Sequence, residues 1–306
     1  MGRLARAGAA LVLAGSLAAP NAEAAAPIVG VAPSYGPAAV ADVPNAAAIL
    51  RRIWLPELDA GFDAQGLAVD QGAVYVSGYR SDSVGLHRGP CRVVRIDPDS
   101  GGETGRLEVP SPCGHAGGLA LGGDGTLYIA DTHMLFALPL AQAFGPAKPQ
   151  FRRFPLGPGL VGSLAVSTPD GIWLGTYRED GPGRLFRFPA ATLAGLRDGE
   201  VLGVAQAAAV MTVPDHAQGA AIGAGALWVA RSELGWGTLD RFDPSSGAPQ
   251  RRFRIAPGVE GIAFDGAGRL WAVSEAGARH YYDRPFAGLV EPFFPLVFAL
   301  DLSRLE

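Results

Sequence analysis

Two histidines and one glutamate are the residues of this sequence best suited to chemistry. His115 and His216 precede two copies of a repeated motif by the same interval, and Glu260 directly precedes a third copy. Two imidazoles and one carboxylate can bind a divalent metal while leaving coordination positions open for water. The same groups can instead act as a proton-transferring base with an orienting carboxylate. We therefore expect a metal site or a general base at these three residues, with the identity of any cofactor left open.

A second group of polar residues flanks the same motif at equivalent positions. Those before the motif are amides, which can orient a polar ligand. Those after it are acids and arginines, and arginine can hold a carboxylate or phosphate. The predicted ligand-binding residues are Gln65, Asp131, Arg178, Gln218, Arg231 and Glu275. Alternatively, these side chains satisfy backbone groups at strand ends and line a water-filled channel.

The motif consists of a short apolar strand, a turn that usually contains glycine, and a second strand centred on an aromatic residue. Its copies begin at Gly66, Gly118, Ser163, Gly219 and Gly261. The aromatic follows each start at nearly the same distance, at Tyr75, Tyr128, Trp173, Trp228 and Trp271. Repeats of roughly 40–60 residues built from short strands are typical of a β-propeller. We expect the aromatics to pack between adjacent blades.

The repeat predicts an all-β fold, a single propeller of four-stranded blades. Five blades are favoured and six are the alternative. Two further strands can be identified after each hairpin, but the fifth copy is followed by only one of them. The segment AILRRIWLPEL, from Ala48 to Leu58, is expected to supply the missing strand and so close the ring. A short helix is expected in ATLAGLRDGE, residues 191–200.

The N-terminal residues predict export from the cytoplasm. Arg3 and Arg6 precede an apolar run over residues 7–19, and small residues flank a cleavage site near Ala24. We expect residues 1–24 to be a signal peptide, 25–47 an irregular lead-in and 48–306 the propeller domain. An uncleaved anchor is the alternative. The predicted location is periplasmic or extracellular.

Export bears on the two cysteines, Cys91 and Cys113. An oxidising compartment favours a disulfide between them. Free thiols or a metal-binding pair are the alternatives. The bridge would lie near His115 and would hold the segment that carries it.

Composition excludes some classes of function. The formal net charge of −4 argues against nucleic-acid binding, which needs a basic surface. The sequence contains no apolar run of the roughly 18 residues that a transmembrane helix needs. It also contains no GxSxG, HExxH, CxxC or P-loop motif. We expect a monomer that binds a small molecule or a protein partner at the channel face.

The repeats GLAV-turn-VYVSG and IAF-turn-LWAVSE resemble those of the SMP-30/gluconolactonase, NHL and strictosidine-synthase-like propellers. The resemblance covers most of residues 63–275. It implies a propeller in which lactonase-type members hold a divalent metal with Glu, Asn and Asp at the channel mouth. Glu260 matches the glutamate of that pattern, whereas Gln65 or Gln218 stands where the asparagine is expected.

Three functions follow from these observations. The first is an exported propeller that binds a small polar ligand or a protein partner at the mouth of its channel. The second is a metal-dependent hydrolase of a lactone or ester, in which His115 or His216 moves the proton. The third is a structural or assembly scaffold.

Overall fold

The structure, a computed structural model, describes residues 26–81, 87–233, 235–282 and 292–306. The predicted signal peptide, residues 1–24, lies outside these ranges. Within them, no helix has the length and apolar character needed to cross a membrane.

Strands are the main regular elements of the described chain and form five sheets. The strands are β1 Ile28–Val29, β2 Ile49–Trp54, β3 Phe62–Asp70, β4 Ala73–Arg80, β5 Cys91–Ile96, β6 Glu103–Glu108, β7 Gly118–Leu121, β8 Thr126–Asp131, β9 Met134–Pro139, β10 Arg152–Pro155, β11 Leu164–Thr168, β12 Gly171–Thr176, β13 Gly183–Pro189, β14 Ala209–Val213, β15 Ala217–Gly223, β16 Ala226–Glu233, β17 Trp236–Phe242, β18 Pro249–Arg254, β19 Val259–Phe264, β20 Leu270–Ser274 and β21 Leu296–Leu300. Three short α-helices are described: α1 Leu140–Ala143, α2 Ala190–Gly195 and α3 Arg279–Tyr282. The helix predicted over residues 191–200 is present as α2 but is shorter, because it ends at Gly195.

The five sheets are the blades of a five-bladed propeller. Four blades contain consecutive antiparallel strands, namely β3–β6, β7–β10, β11–β14 and β15–β18. The fifth has the order β19, β20, β21, β2, β1. The first strand of each repeat is the innermost one, and the five inner strands β3, β7, β11, β15 and β19 surround the axis in that order. The prediction of five blades is confirmed, and the alternative of six is excluded.

The ring closes as the sequence predicts. Strand β2 pairs antiparallel with β21, so the N-terminal part of the chain completes the last blade. Backbone contacts continue beyond the strands, because Asp301 N–H donates to Ala48 O at 2.9 Å. The Asn45 side chain accepts from Glu306 N–H at 2.8 Å. In the predicted lead-in, β1 adds a two-residue parallel edge to β2.

The repeated aromatics pack between blades, as expected. All five are buried, and each belongs to an apolar cluster that includes strands of the following blade. Trp173, for example, packs in one cluster with Leu227 and Val229 of the next blade. Burying a large aromatic contributes on the order of 2–3 kcal/mol. These aromatic side chains recur at one position of the repeat because each of them stabilises the contact between two adjacent blades.

Glycine begins four of the five repeats because the inner strands approach one another closely. A Cβ atom on Gly66 would lie 2.6 Å from Leu119 N, and one on Gly118 would lie 2.5 Å from Ala165 N. On Gly261 it would lie 2.3 Å from Leu67 N. These contacts are with backbone atoms of the neighbouring blade, which cannot move aside as a side chain can. A side chain at these positions is therefore excluded by the small circumference of the ring.

Candidate functional site

Three inner strands carry a β-bulge at the same level of the channel. In β3 the pairing with β4 skips Gln65, and in β15 the pairing with β16 skips Gln218. In β19 the pairing with β20 shifts between Val259 and Ile262, a stretch that contains Glu260. A bulge inserts one residue that the ladder leaves unpaired and re-aims its side chain. The three residues that the repeat aligned one position before its start are thus the bulge residues of their strands.

These bulges lie on neighbouring strands and make one continuous polar segment. Gly219, after Gln218, approaches Glu260 O, and Gly261, after Glu260, approaches Gln65 O. We call Gln218, Glu260 and Gln65 the polar arc. The other two blades have Gly117 and Gly162 at the aligned positions. At this level of the channel, three blades therefore contribute a polar side chain and the other two contribute none.

Glu260 is the most unusual residue of the polar arc. The residue is 4 % exposed, and its Oε1 atom has no hydrogen-bond partner among the residues that the structure describes. Burial raises the pKa of this carboxyl well above its usual range, and the nearby charges of Asp63 and Glu233 raise it further. A buried acceptor without a donor costs roughly 1–3 kcal/mol. The position is therefore one where a ligand donor would be favourable.

Glu275 forms a second buried carboxyl beside the arc. Its Oε2 accepts a 2.8 Å hydrogen bond from Gln65 Nε2. Burial raises the pKa of Glu275 well above its usual range, and the neighbouring Glu260 and Asp63 add to the effect. Asp63, fully buried on β3, lies against both glutamates and also raises the pKa of Tyr79. Like charges this close cannot all ionise, so protons are retained within the cluster.

His216 lies at the rim of the same mouth, in contact with Glu233. Its Nδ1 is 2.7 Å from Glu233 Oε1, and the Tyr177 hydroxyl donates to the same oxygen at 3.3 Å. The ring meets Trp236 edge-on, with 5.6 Å between centroids. A carboxylate on Nδ1 fixes the tautomer and leaves Nε2 as the basic atom. His216 and Glu233 thus have the geometry of a base with its orienting carboxylate.

His115 is held in place by its own backbone. Asp131 Oδ1 accepts from three consecutive N–H groups, those of Gly114 at 3.2 Å, His115 at 2.7 Å and Ala116 at 2.9 Å. The imidazole Nδ1 is 3.0 Å from His87 O. Its ring stacks on Tyr79 with 5.1 Å between centroids, and burial lowers its pKa. Asp131, predicted as a ligand-binding residue, thus positions the segment that carries His115.

The predicted disulfide is formed and strengthens the same segment. Cys91 and Cys113 are bonded, with 5.7 Å between their Cα atoms. The bridge attaches the residues just before His115 to the first residue of β5. Together with Asp131 it fixes the segment on both sides of Gly114.

The predicted metal ligands are not gathered into one set. Among the described residues, the one group of three potential ligands with close donor atoms is Cys91, Cys113 and Asp131, and its sulfurs are bonded to each other. His115 and His216 instead contact separate partners, Tyr79 and Glu233. The geometry that these residues adopt suits proton transfer and hydrogen bonding better than metal coordination.

The two predicted arginines already have protein partners. Arg231 forms ion pairs with Asp215 and Asp240 and lies 5.9 Å from the centre of the Trp236 ring. Arg178 donates from Nε to Asp180 O at 3.0 Å. These contacts do not direct the guanidinium group of Arg231 or Arg178 at the polar arc.

Some residues of the site were missed by the sequence reasoning. Glu233 was not singled out because β16 continues one residue beyond the aligned positions. Tyr177 directly precedes Arg178, and no sequence pattern marks it. Tyr281 is buried close to Glu275 and Asp63, which raise its pKa further than burial alone. No repeated pattern marks α3, which carries it.

A cavity of about 440 Å³ lies at the opposite end of the channel. The hairpin ends of the inner strands line it, and most of the side chains there are apolar, including Leu67, Leu119, Ile262 and Phe264. The titratable groups described above are absent from its lining. The two ends of the channel therefore differ in chemistry.

The comparisons with known proteins show distant similarity. No family model and no curated protein matches the chain. Among solved structures, glutaminyl cyclase from Myxococcus xanthus has 14 % identity and a TM-score of 0.47, covering 83 % of this chain and 94 % of that one. A luciferin-regenerating enzyme has 13 % identity and a TM-score of 0.45, covering 83 % and 95 %. The WD40 repeats of RRP9 have 11 % identity and a TM-score of 0.46, covering 85 % and 99 %. At this distance the similarities carry no conclusion about activity.

Proposed function

We propose that this protein is a binding propeller that holds a small polar ligand at the polar arc. The carrying observation is Glu260, a buried side chain whose Oε1 lacks a partner on a bulge at the channel mouth. A structural role alone would favour an apolar or fully paired residue there, because an unpaired buried acceptor is destabilising. Export to the periplasm or the extracellular space is part of the proposal and rests on the N-terminal sequence and the disulfide.

The site has a graded path from solvent to the buried acid. The Glu233 side chain is 45 % exposed, His216 is 21 % exposed, and Glu260 behind them is nearly inaccessible. Concave sites that combine apolar walls with a few convergent polar groups are the usual form of small-molecule sites. A ligand would meet His216 and Glu233 at the rim and Glu260 at the base.

The test is a ligand screen with a matched pair of variants. Purified protein is screened by thermal shift against sugars, sugar acids, amino acids, amines and nucleosides, and the affinity of each hit is measured by calorimetry. In Glu260→Gln we expect at least tenfold weaker binding, about 1.4 kcal/mol, because the carboxyl contact is lost. Glu108→Gln, on the outer strand β6, is the control and should bind as the wild type.

Two results would contradict the proposal. One is a panel in which no hit depends on Glu260. The other is an equal loss of affinity in Glu108→Gln, which would show that the effect comes from general destabilisation.

Hydrolysis of a lactone or ester is a second candidate, favoured by the 2.7 Å contact between His216 and Glu233. In this function Nε2 of His216 would accept the proton of an attacking water. Turnover of a simple γ-lactone that is lost in His216→Ala and reduced by 10²-fold or more in Glu233→Gln supports it. Turnover that survives in His216→Ala excludes this role.

A further inference from the structure

Several acidic side chains of the described chain meet at the channel mouth. Asp63, Glu260 and Glu275 are buried there, and Glu233 stands at the rim. Arg231, at the same end, is paired with Asp215 and Asp240. Within the described ranges, no basic side chain forms an ion pair with Glu260 or Glu275, and Gln65 donates a hydrogen bond from its uncharged amide to Glu275.

We propose that the ligand of the polar arc is a small organic amine in its protonated form. This inference rests on the proposed function and specifies the chemical class of the ligand. It follows from the carboxyls gathered at the mouth, whose ionised form a bound cation would favour, together with the free acceptor on Glu260. An ammonium group supplies both a positive charge and N–H donors.

The free acceptor requires a donor on the ligand. Glu260 Oε1 is enclosed by protein and lacks a partner. An N–H of a bound ammonium would make a charge-assisted hydrogen bond to it, roughly twice as strong as a neutral one. A quaternary ammonium carries the same charge without an N–H and cannot satisfy this oxygen.

The arrangement of the acids favours an organic cation over a metal ion. Ca²⁺ binds six to eight oxygen atoms at roughly 2.3–2.6 Å and Mg²⁺ needs an octahedron of them. In the described residues the carboxylate oxygens of Asp63, Glu260 and Glu275 do not converge into such a group. They are instead distributed over neighbouring strands. The N–H groups of an ammonium point in different directions and can donate to acceptors arranged in this way.

Aromatic side chains at the same end fit this ligand class. Tyr177 lies close enough to Glu233 and Glu260 for both to raise the pKa of its hydroxyl beyond the effect of burial. Tyr281 is buried near Glu275 and Asp63. The face of an aromatic ring attracts a cation by about 0.5–2 kcal/mol, more when the site is desolvated. Acids and aromatic rings together form a suitable environment for an alkylammonium.

Matched pairs of probes test the proposal by calorimetry. 1,4-Diaminobutane is compared with 1,4-butanediol, and 2-aminoethanol with ethylene glycol, so that charge changes while size does not. Tetramethylammonium, Mg²⁺ and Ca²⁺ are the remaining arms. We expect at least one amine to bind at least thirtyfold more tightly than its diol and than tetramethylammonium. The same amine should bind at least tenfold more weakly to Glu260→Gln and unchanged to Glu108→Gln.

Other outcomes overturn it. Equal affinity for amine and diol, binding of Mg²⁺ or Ca²⁺ alone, or no amine binding at 10 mM each contradict an amine ligand. If Glu260→Gln does not fold, the rim variant Glu233→Gln replaces it, and unchanged amine affinity there counts against the proposal. Binding of an uncharged or anionic compound that depends on Glu260 would refute this inference while the proposed function stands. If no compound of any charge depends on Glu260, both fail.

Discussion

At the scale of single residues, the molecule keeps two glutamates where a carboxylate is poorly solvated. Glu260 and Glu275 are buried beside Asp63, and each is disfavoured as an anion by burial and by the others. Replacement by apolar residues would remove this cost. Their presence is therefore best explained by something that the folded protein binds or does at that point.

The two raised pKa values predict how stability depends on pH. A carboxyl whose pKa is raised on folding stabilises the native state fully below its unfolded pKa and loses this contribution as pH rises through the folded pKa. We expect the free energy of unfolding to fall between about pH 5 and pH 8, by about 1.4 kcal/mol for each unit by which a pKa is raised. The titratable groups that face Glu260 are Asp63, Glu233, Glu275, Tyr177 and Tyr281.

Urea unfolding at a series of pH values checks this dependence. Glu260→Gln should flatten the decline, because an amide has no proton to lose. Glu200→Gln is the control: the hydrogen bond from Arg197 N–H and nearby contacts lower the pKa of this exposed carboxyl, so it titrates below the window. A wild-type stability that is constant or rises from pH 5 to pH 8 would show that the acids ionise freely.

The polar arc could be predicted from the sequence, whereas its partners could not. Gln65, Gln218 and Glu260 share one position in a repeat, so aligning the copies was enough to group them. Tyr281 has no such counterpart, because it lies on α3, which only one blade contains. Glu260 Oε1 lacks a hydrogen-bond partner among the described residues. Such a lack depends on the packing between blades, which leaves no pattern in the sequence.

At the scale of elements, three of the five inner strands, β3, β15 and β19, combine a bulge with a glycine. The bulge re-aims a polar side chain, and the glycine that follows lets the strand approach its neighbour. Strand identity and order were predictable from apolar runs and turn residues. The bulges were not, because they concern the register between two strands, which is set by tertiary contacts.

Substitution of an inner-strand glycine should therefore be costly. A Cβ on Gly261 would lie 2.3 Å from Leu67 N, so Gly261→Ala must displace backbone of another blade. We expect a loss of stability of about 1–3 kcal/mol or more, as for overpacked cores. Gly195→Ala, in α2 with nothing within 4 Å of the added atom, is the matched control. It should be neutral or stabilising by up to about 1 kcal/mol. Similar effects of the two substitutions in thermal unfolding would contradict the packing argument.

At the scale of the whole molecule, a single pairing between distant parts of the chain completes the ring. Strand β2 supplies the outer part of the fifth blade, and its side chains lie in the apolar clusters shared with the fourth and first blades. A ring without free inner edges is a general solution to the edge-strand problem. Closure therefore couples the stability of all blades to one strand.

Two substitutions in β2 test this coupling. Ile53 is fully buried, so Ile53→Ala should lower stability by about 2–4 kcal/mol. Leu50, 39 % exposed in the same strand, should tolerate alanine with a change below about 1 kcal/mol. Denaturant unfolding followed by fluorescence and by circular dichroism should remain one coincident transition in both. A separate early transition in Ile53→Ala would show that the fifth blade opens independently of the ring.

The closing pair also has a consequence for how the protein is made. Strand β2 is synthesised before the four blades that separate it from β21, so its partner does not exist until those blades have been made. No shorter nascent chain can reach the closed state, however many blades it already contains. During that interval the strand remains a potential target for chaperones and proteases. The synthesis of β21 thus determines when the ring can close and when β2 is no longer exposed to chaperones and proteases.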